Sequence, residues 1–133
     1  YLFMVILVTG GAFQGKTTYI REQLWKDSME LVEGENWEPD RVPCSFAVNH
    51  LEHFIRRQLA EGKSQEEILE GLLQAAQGQE DVIWEIREIG CGIVPMEKEE
   101  RRWREVTGRI GELAGRADQV YRVISGIGVR IKG

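Results

Sequence analysis

Apolar residues at the start of the chain follow a pattern that predicts a strand and then a helix. Residues 2–8 (LFMVILV) form a continuous apolar run that ends in glycines, as expected of a parallel strand covered on both faces. Across residues 16–30, Ile20, Leu24 and Trp25 recur at helical spacing between polar residues. A strand, a glycine-rich turn and a helix in this order are typical of the opening of an α/β fold.

The next part of the chain predicts a loop, a strand and a helix. Residues 31–43 are mostly polar and contain one glycine and two prolines, which predicts a loop. Residues 45–49 form a short apolar segment that predicts a second strand. The helix that follows ends at Gly62, and its inward positions are apolar: Leu51, Phe54, Ile55 and Leu59.

Ser64 marks the start of the following helix. Ser64 and Glu67 have the spacing of a capping box, in which each side chain accepts a hydrogen bond from an unpaired backbone N–H group of the other residue. Residues 81–87 then predict a third strand, although Glu85 and Arg87 make it less apolar than the first.

The last part of the chain predicts a long helix and a strand pair. Pro95 suits the first turn of a helix, and apolar residues follow at spacings of three and four as far as Ala117. Residues 120–124 and 129–131 predict two strands around a glycine-containing turn. Together the elements predict one α/β domain over residues 1–133, with a mostly parallel sheet flanked by helices and a C-terminal strand pair.

Composition narrows the class of partner. Of the 133 residues, 42% are hydrophobic and 29% are charged, a normal globular balance, and the formal net charge is -5. An acidic chain offers no basic surface for a phosphate backbone, so we expect no nucleic-acid partner.

The cysteines and the first apolar run bear on the location of the protein. Cys44 and Cys91 match neither a disulfide framework nor a CxxC metal pair. Residues 2–8 are too short to span a membrane and lack the features of a signal peptide; we therefore expect a cytoplasmic protein.

A phosphate-binding motif lies between the first strand and the first helix. Residues 10–17 match the P-loop pattern GxxxxGK[ST], in which backbone N–H groups and the positive end of the helix dipole face phosphate oxygens. Lys16 is expected to reach the terminal phosphates as a catalytic residue, and Thr17 to offer its hydroxyl to Mg2+. A chance glycine-rich turn with a surface lysine is the alternative, which the flanking elements disfavour. The predicted nucleotide-binding residues are Gly10, Gly11, Ala12, Phe13, Gln14, Gly15, Lys16, Thr17 and Thr18.

Several further segments carry a resemblance to a known family. Residues 88–95 read EIGCGIVP, and RWREVTGR, ADQV and SGIGVRIK follow at 102–109, 117–120 and 125–132. Together with the TGGA that opens the P-loop, they resemble the adenosylcobinamide kinase/adenosylcobinamide-phosphate guanylyltransferase family of cobalamin biosynthesis.

The resemblance implies a fold, an activity and partners. The family fold is a RecA-like P-loop NTPase, often a trimer, so a homo-oligomer is expected. Family members phosphorylate adenosylcobinamide and then attach GMP from GTP through a guanylylated histidine. The resemblance therefore implies Mg2+ as cofactor, ATP or GTP as the purine nucleoside triphosphate, and adenosylcobinamide as acceptor. It also implies that Gly90, Gly92 and Pro95 lie in a substrate loop; a tight strand-to-helix connection is the alternative.

Two departures from the family pattern limit which family activities we expect of this chain. The chain is shorter before Pro43, where the family places its guanylylated histidine, so we expect the guanylyltransferase step to be lost. Where the family has an acid at the end of a strand, Asn49 or His50 stands, and a neutral amide cannot match a carboxylate toward a metal. Glu52 or Glu88 is the predicted catalytic substitute. The alternative is a catalytically degenerate homologue that binds nucleotide as a regulator or scaffold.

His50 and His53 are a further candidate pair. Their spacing of three residues places both rings near one helix face, which would suit a metal or a phosphate. Because no third ligand has suitable spacing in the sequence, we interpret them as polar surface histidines.

Overall fold

A six-stranded sheet organises the protein. The computed structural model describes residues 4–11, 15–27, 29–39, 45–77, 81–87, 97–110 and 117–133. The strands are β1 (Met4–Gly10), β2 (Glu30–Glu33), β3 (Ser45–Asn49), β4 (Asp81–Arg87), β5 (Gln119–Ile124) and β6 (Ile127–Lys132). They lie in the order β2-β3-β4-β1-β5-β6. The first five of that order run parallel, and β6 pairs antiparallel with β5. The predicted mostly parallel sheet with a C-terminal strand pair is confirmed.

Helices cover both faces of the sheet. They are α1 (Lys16–Tyr19), which continues as a π-helical turn over Ile20–Leu24, then α2 (Leu51–Ala60), α3 (Gln65–Ala76) and α4 (Lys98–Ile110); a 3-10 turn spans Gly34–Asn36. Within the described ranges, none of these helices has the length and apolar character needed to cross a membrane.

Side chains alternate between two cores, one on each face of the sheet. Leu7 and Trp84 belong to the larger core, which contains the apolar residues of α2, α3 and α4. Ile6 and Ile83 belong to the smaller core, together with Ile20 of the first helix. Because side chains in a strand point to opposite faces in turn, Glu85 shares the face of Ile83. The sequence of β4 therefore directs this carboxylate toward the α1 side of the sheet.

The capping box at the start of α3 is confirmed. The hydroxyl oxygen of Ser64 accepts a hydrogen bond from the backbone N–H of Glu67 at 3.2 Å, and the Glu67 carboxylate accepts one from the Ser64 N–H at 3.1 Å. This reciprocal pair satisfies two backbone groups that the helix leaves without partners. The start of α3 is thus fixed by its own sequence.

The first helix is shorter than predicted, and a strand follows it. Helical backbone ends at Leu24, and Trp25 is extended. The N–H of Met29 donates to the carbonyl of Lys26 at 3.0 Å, in a turn that returns the chain to the smaller core. The prediction of a loop beginning at residue 31 was wrong for residues 31–33, which belong to β2 (Glu30–Glu33) and pair with β3. This edge strand is short and charged at both ends, so its hydrophobic pattern is weak.

The last helix agrees with the prediction in its central part. Trp103 and Val106 of α4 are buried in the larger core, as their spacing predicts. Ala117 is also buried, but it lies just before β5 and not in a helix. The predicted helix start at Pro95 falls outside the described residues.

Candidate functional site

The predicted phosphate loop connects the carboxyl end of β1 with the start of α1. β1 ends at Gly10, and α1 begins directly after Gly15. Gly15 has a φ of 83°, a left-handed conformation that favours glycine. Three of the predicted nucleotide contacts, Ala12, Phe13 and Gln14, lie outside the described residues. The described ends of the loop have the strand-to-helix context that the motif requires.

The two ends of the loop pack against the C-terminal strand pair. A Cβ atom on Gly10 would lie 2.6 Å from the carbonyl oxygen of Val123 in β5. A Cβ atom on Gly15 would lie 3.3 Å from the Cα atom of Gly126, in the turn between β5 and β6. The space around the loop therefore leaves no room for a side chain at position 10 and little room for one at position 15.

Lys16 is buried at the first position of α1. Its Nζ atom donates a hydrogen bond to the carbonyl oxygen of Gly11 at 2.8 Å, and 6% of the residue is exposed. This contact ties the ammonium group to Gly11, the described residue at the start of the loop. Thr18, another predicted nucleotide contact, is exposed on the same turn. The arrangement suits the binding of phosphate oxygens by the lysine and the loop.

Thr17 faces a buried carboxylate on β4. Its hydroxyl oxygen lies 2.9 Å and 3.2 Å from the two carboxylate oxygens of Glu85, and Glu85 is only 2% exposed. β4 lies beside β1 in the sheet, where Glu85 is paired in register with Val8. A hydroxyl and a carboxylate are oxygen donors of the kind that Mg2+ prefers. The pair therefore fits the cation that accompanies a nucleotide at a P-loop.

The environment of Glu85 changes its acidity. Burial raises the pKa of Glu85 above its ordinary value, since the ionised form loses its hydration. The hydrogen bond from Thr17 and the charges of His50 and Lys16 oppose that effect on the pKa, and the charge of Glu52 adds to it. Because the ionised form is disfavoured by burial, a cation placed beside this carboxylate would stabilise it.

Sequence reasoning missed Glu85 as a site residue. In the sequence it only weakens an apolar strand, and its partner Thr17 is 68 residues away. The available signal was an acid at an inward position of a buried strand, because a buried carboxylate needs a polar partner. That partner could be named only once β4 was placed beside β1.

The carboxyl end of β3, where the family pattern has an acid, carries a buried amide. Asn49 is 5% exposed, and its Oδ1 atom accepts a hydrogen bond from the backbone N–H of Gly34 at 3.4 Å. His50 follows with a φ of 48°, in the left-handed region, and precedes the first residue of α2. Asn49 therefore joins β3 to the 3-10 turn next to β2.

Glu52, one of the two predicted catalytic substitutes, is held by its neighbours. It is 1% exposed, and its Oε1 atom accepts a hydrogen bond from the backbone N–H of Arg87 at 2.9 Å. Its Oε2 atom lies 3.1 Å from Nδ1 of His50, and its backbone carbonyl accepts from the Trp103 indole at 2.8 Å. Glu52 thus links the start of α2 to β4 and α4. The other substitute, Glu88, and the predicted loop residues Gly90, Gly92 and Pro95 lie outside the described residues.

Comparison with known proteins supports the resemblance seen in the sequence. The model of the family described as cobinamide kinase / cobinamide phosphate guanyltransferase matches residues 44–131. The match includes β3 to β5 and most of β6, and it begins after the glycine loop.

Two curated relatives match a shorter stretch of the chain. The bifunctional adenosylcobalamin biosynthesis protein CobU of Salmonella typhimurium is 46% identical over 52 residues, and its Escherichia coli counterpart is 44% identical over 52 residues. Each alignment covers 38% of this chain and 29% of the relative, so it spans less than a third of the relative's length. Since the family model matches more than half of the 133 residues, the chain belongs to the cobinamide kinase / cobinamide phosphate guanyltransferase family.

Proposed function

We propose that this chain is a phosphotransferase of cobalamin biosynthesis that uses ATP or GTP with Mg2+ to phosphorylate a hydroxyl group of adenosylcobinamide. One observation carries the proposal: directly after the glycine loop, the Thr17 hydroxyl lies 2.9 Å from the buried carboxylate of Glu85. A P-loop turns nucleotide over only when an acid helps to orient its metal. Glu85 supplies that acid from β4, in place of the acid absent from the end of β3.

The residues of the chain have separable roles in this reaction. Lys16 and the backbone N–H groups of the loop bind and orient the terminal phosphates and neutralise the charge that develops on them. Thr17 and Glu85 would hold Mg2+, which would supply further charge neutralisation. In the transfer, the acceptor oxygen forms a bond to the terminal phosphorus, the bond from that phosphorus to the nucleoside diphosphate breaks, and the hydroxyl proton leaves to solvent.

The guanylyltransferase step is proposed to be lost. The chain is shorter where the family carries its guanylylated histidine, and its two histidines, His50 and His53, lie at the start of α2. Incubation with GTP followed by intact mass measurement tests this. An unchanged mass is expected, whereas a GMP adduct would show that one of these histidines accepts the nucleotide.

A second candidate function is a nucleotide-binding regulator or scaffold without catalysis. The observation in its favour is Asn49, whose amide stands where the family pattern has an acid and hydrogen-bonds to Gly34. Under this alternative, calorimetry detects nucleotide binding but no cobinamide acceptor supports turnover. A homo-oligomer, with a trimer as the family's common form, and a cytoplasmic location also remain proposals.

The experiment that tests the main proposal compares Lys16→Ala with Lys63→Ala. Both remove one lysine, but Lys16 is buried at the loop and Lys63 is exposed after α2. Nucleoside diphosphate release is measured with Mg2+, with and without adenosylcobinamide. We expect acceptor-dependent release by the wild-type protein and Lys63→Ala, and none by Lys16→Ala. Equal release by all three proteins would reject the proposal.

A further inference from the structure

Two imidazoles and one carboxylate converge at the junction of β3 and α2. Nδ1 of His50 lies 3.1 Å from Oε2 of Glu52, and Nε2 of His53 lies 3.9 Å from the same oxygen. The three ligand atoms all lie within 4.8 Å of one another. The sequence alone suggested two histidines without a third ligand; the fold supplies that ligand as Glu52.

These separations suit a small tetrahedral cation. With metal–ligand bonds of about 2.0–2.2 Å, a tetrahedral site places its ligand atoms about 3.3–3.6 Å apart. The two distances to Oε2 of Glu52 lie on either side of that range. The histidine side chains are 47% and 41% exposed, so small rotamer adjustments of these rings can complete the geometry.

The carboxylate at the centre of the cluster is already oriented. Oε1 of Glu52 is held by the backbone N–H of Arg87, which leaves Oε2 directed at the two histidines. The backbone carbonyl of Glu52 is held in turn by the indole of Trp103. Metal ligands are typically fixed by hydrogen bonds of this kind from a second layer of groups. Such an arrangement keeps the ligand in place before the cation arrives.

The two arginines of α2 that follow the cluster interact with other groups. Arg56 forms an ion pair with Glu100 of α4, and Arg57 donates to the carbonyls of Glu35 and Trp37. The start of a helix carries a partial positive charge, which disfavours a cation. The buried carboxylate of Glu52 opposes that charge at the point where the two rings meet.

We propose that His50, Glu52 and His53 form a binding site for a divalent transition metal, with Zn2+ as the best-matched ion. Imidazole nitrogens select such metals over Mg2+, which prefers oxygen ligands. Three protein ligands with exposed rings leave a fourth position for water or another oxygen donor, as in zinc sites that remain open. Its ligands differ from the Thr17 and Glu85 pair, although the charges of His50 and Glu52 act on Glu85, and its occupancy does not require nucleotide.

Zinc binding to the nucleotide-free full chain tests the site. Isothermal titration calorimetry with Zn2+ is expected to show one binding event per chain that excess Mg2+ does not displace. His53→Ala and Glu52→Gln should each lower the affinity for Zn2+ at least about tenfold. Removal of a group that only hydrogen-bonds to a metal ligand already lowers metal affinity by about tenfold or more, and these variants remove a ligand itself. Since Glu52 is buried and its variant could fail to fold, the half-buried His53 provides the decisive variant.

A matched control is available on α3. Glu66 is the second residue of α3, as Glu52 is of α2, but it is exposed and no histidine precedes or follows it in that turn. Glu66→Gln should leave zinc affinity unchanged. A loss equal to that of Glu52→Gln would overturn the proposal, because it would reflect a general effect of charge.

Replacing both cysteines with serine separates this site from thiolate binding. Cys44 and Cys91 lie outside the described residues, and cysteine is a strong zinc ligand. In Cys44→Ser/Cys91→Ser, zinc binding should persist, and bound Co2+ should give visible bands without sulfur-to-cobalt charge transfer. Loss of binding in this variant, or full binding by His50→Ala/His53→Ala, would place the metal elsewhere and overturn the proposal. Both results come from binding measurements without nucleotide, so they are read independently of the turnover assay that tests the proposed function.

Discussion

Two buried glutamates lie near the carboxyl ends of neighbouring strands, and their surroundings differ. Glu85 of β4 is hydrogen-bonded by the hydroxyl of Thr17, and its burial raises its pKa. Glu52, at the start of α2, is hydrogen-bonded by a backbone N–H and lies beside His50. The two residues are equally inaccessible, at 2% and 1% exposure. Burial alone therefore does not assign a role to a carboxylate; its partners do.

The two glutamates therefore have different roles. Glu85 belongs to the proposed nucleotide site, whereas Glu52 connects secondary-structure elements. The carboxylate of Glu85 has a hydroxyl partner from the phosphate loop, so a cation at that loop would meet an acid whose ionised form needs stabilisation. The carboxylate and carbonyl of Glu52 join α2 to β4 and α4. Replacing Glu85 should mainly affect turnover, whereas replacing Glu52 should mainly affect stability and the proposed zinc binding.

The largest expected effect is the loss of turnover in Glu85→Gln. We expect the rate of acceptor-dependent phosphoryl transfer to fall by about a hundredfold, the scale seen when one group that stabilises developing charge is removed. The Mg2+ concentration needed for half-maximal rate should also rise. Steady-state kinetics across a Mg2+ series measures both, with the exposed Glu70→Gln as control. Unaltered kinetics would remove Glu85 from the site.

Next in size is the stability loss of Glu52→Ala. This change removes the carboxylate that accepts a hydrogen bond from the part-buried Arg87 N–H, and a hydrogen bond to a charged group contributes about 1.5–3 kcal/mol to the free energy of unfolding. Chemical denaturation of the wild type and the variant gives the difference. If Glu52→Ala were as stable as the wild type, the attachment role of Glu52 would be wrong.

Through Glu85, the stability of the wild-type protein should depend on pH in the opposite sense to that given by a salt-bridged acid, and Glu85→Gln should lack this dependence. Because burial raises the pKa of Glu85, the folded state keeps the proton to higher pH than the unfolded chain does. The free energy of unfolding of the wild type should therefore fall as the pH rises from below the unfolded pKa through the folded pKa. Glu85→Gln lacks this loss and should be more stable at neutral pH by about 1–3 kcal/mol, the range for an unfavourable buried polar group.

Denaturation curves measured from acid to neutral pH test that sign. The advantage of Glu85→Gln should shrink at acid pH, where the wild-type carboxyl is protonated as well. An advantage that grew as the pH fell would mean that the carboxylate form is favoured in the folded protein, contrary to the effect of burial.

The smallest expected effect is that of Ser64→Ala, which serves as a reference for stability. Loss of the cap should lower the free energy of unfolding by about 1 kcal/mol, because the Glu67 N–H loses its acceptor at the start of α3. Nucleotide turnover below the unfolding temperature should be unchanged. Calorimetric melting and turnover assays on the same sample check both. A comparable fall in turnover would show that instability alone can account for losses at the other positions.

The sequence predicted the fold well where local patterns are strong. β1 and β3 follow from apolar runs, and α3 follows from its capping box, because burial and capping act over a few neighbouring residues. β2 was missed, since an edge strand of four residues with charged ends gives little periodic signal.

The site was predictable only in part, for a different reason. Lys16 and Thr17 belong to a motif that is contiguous in the sequence. The contact between Thr17 and Glu85 depends on β4 lying beside β1, and the cluster of His50, Glu52 and His53 depends on how their side chains converge at the start of α2. Neither strand order nor side-chain direction can be read from spacing alone.

Close contacts at glycines connect the phosphate loop and α1 to the β5–β6 hairpin. Gly10 lies against Val123 and Gly15 against Gly126, while a side chain at Gly128 would collide with the ring of Tyr19 in α1. The hairpin thus supports the phosphate loop by packing against both of its ends. A bulky substitution in the hairpin should therefore change the nucleotide affinity of the loop, and a larger side chain in one segment would need a smaller one in the other.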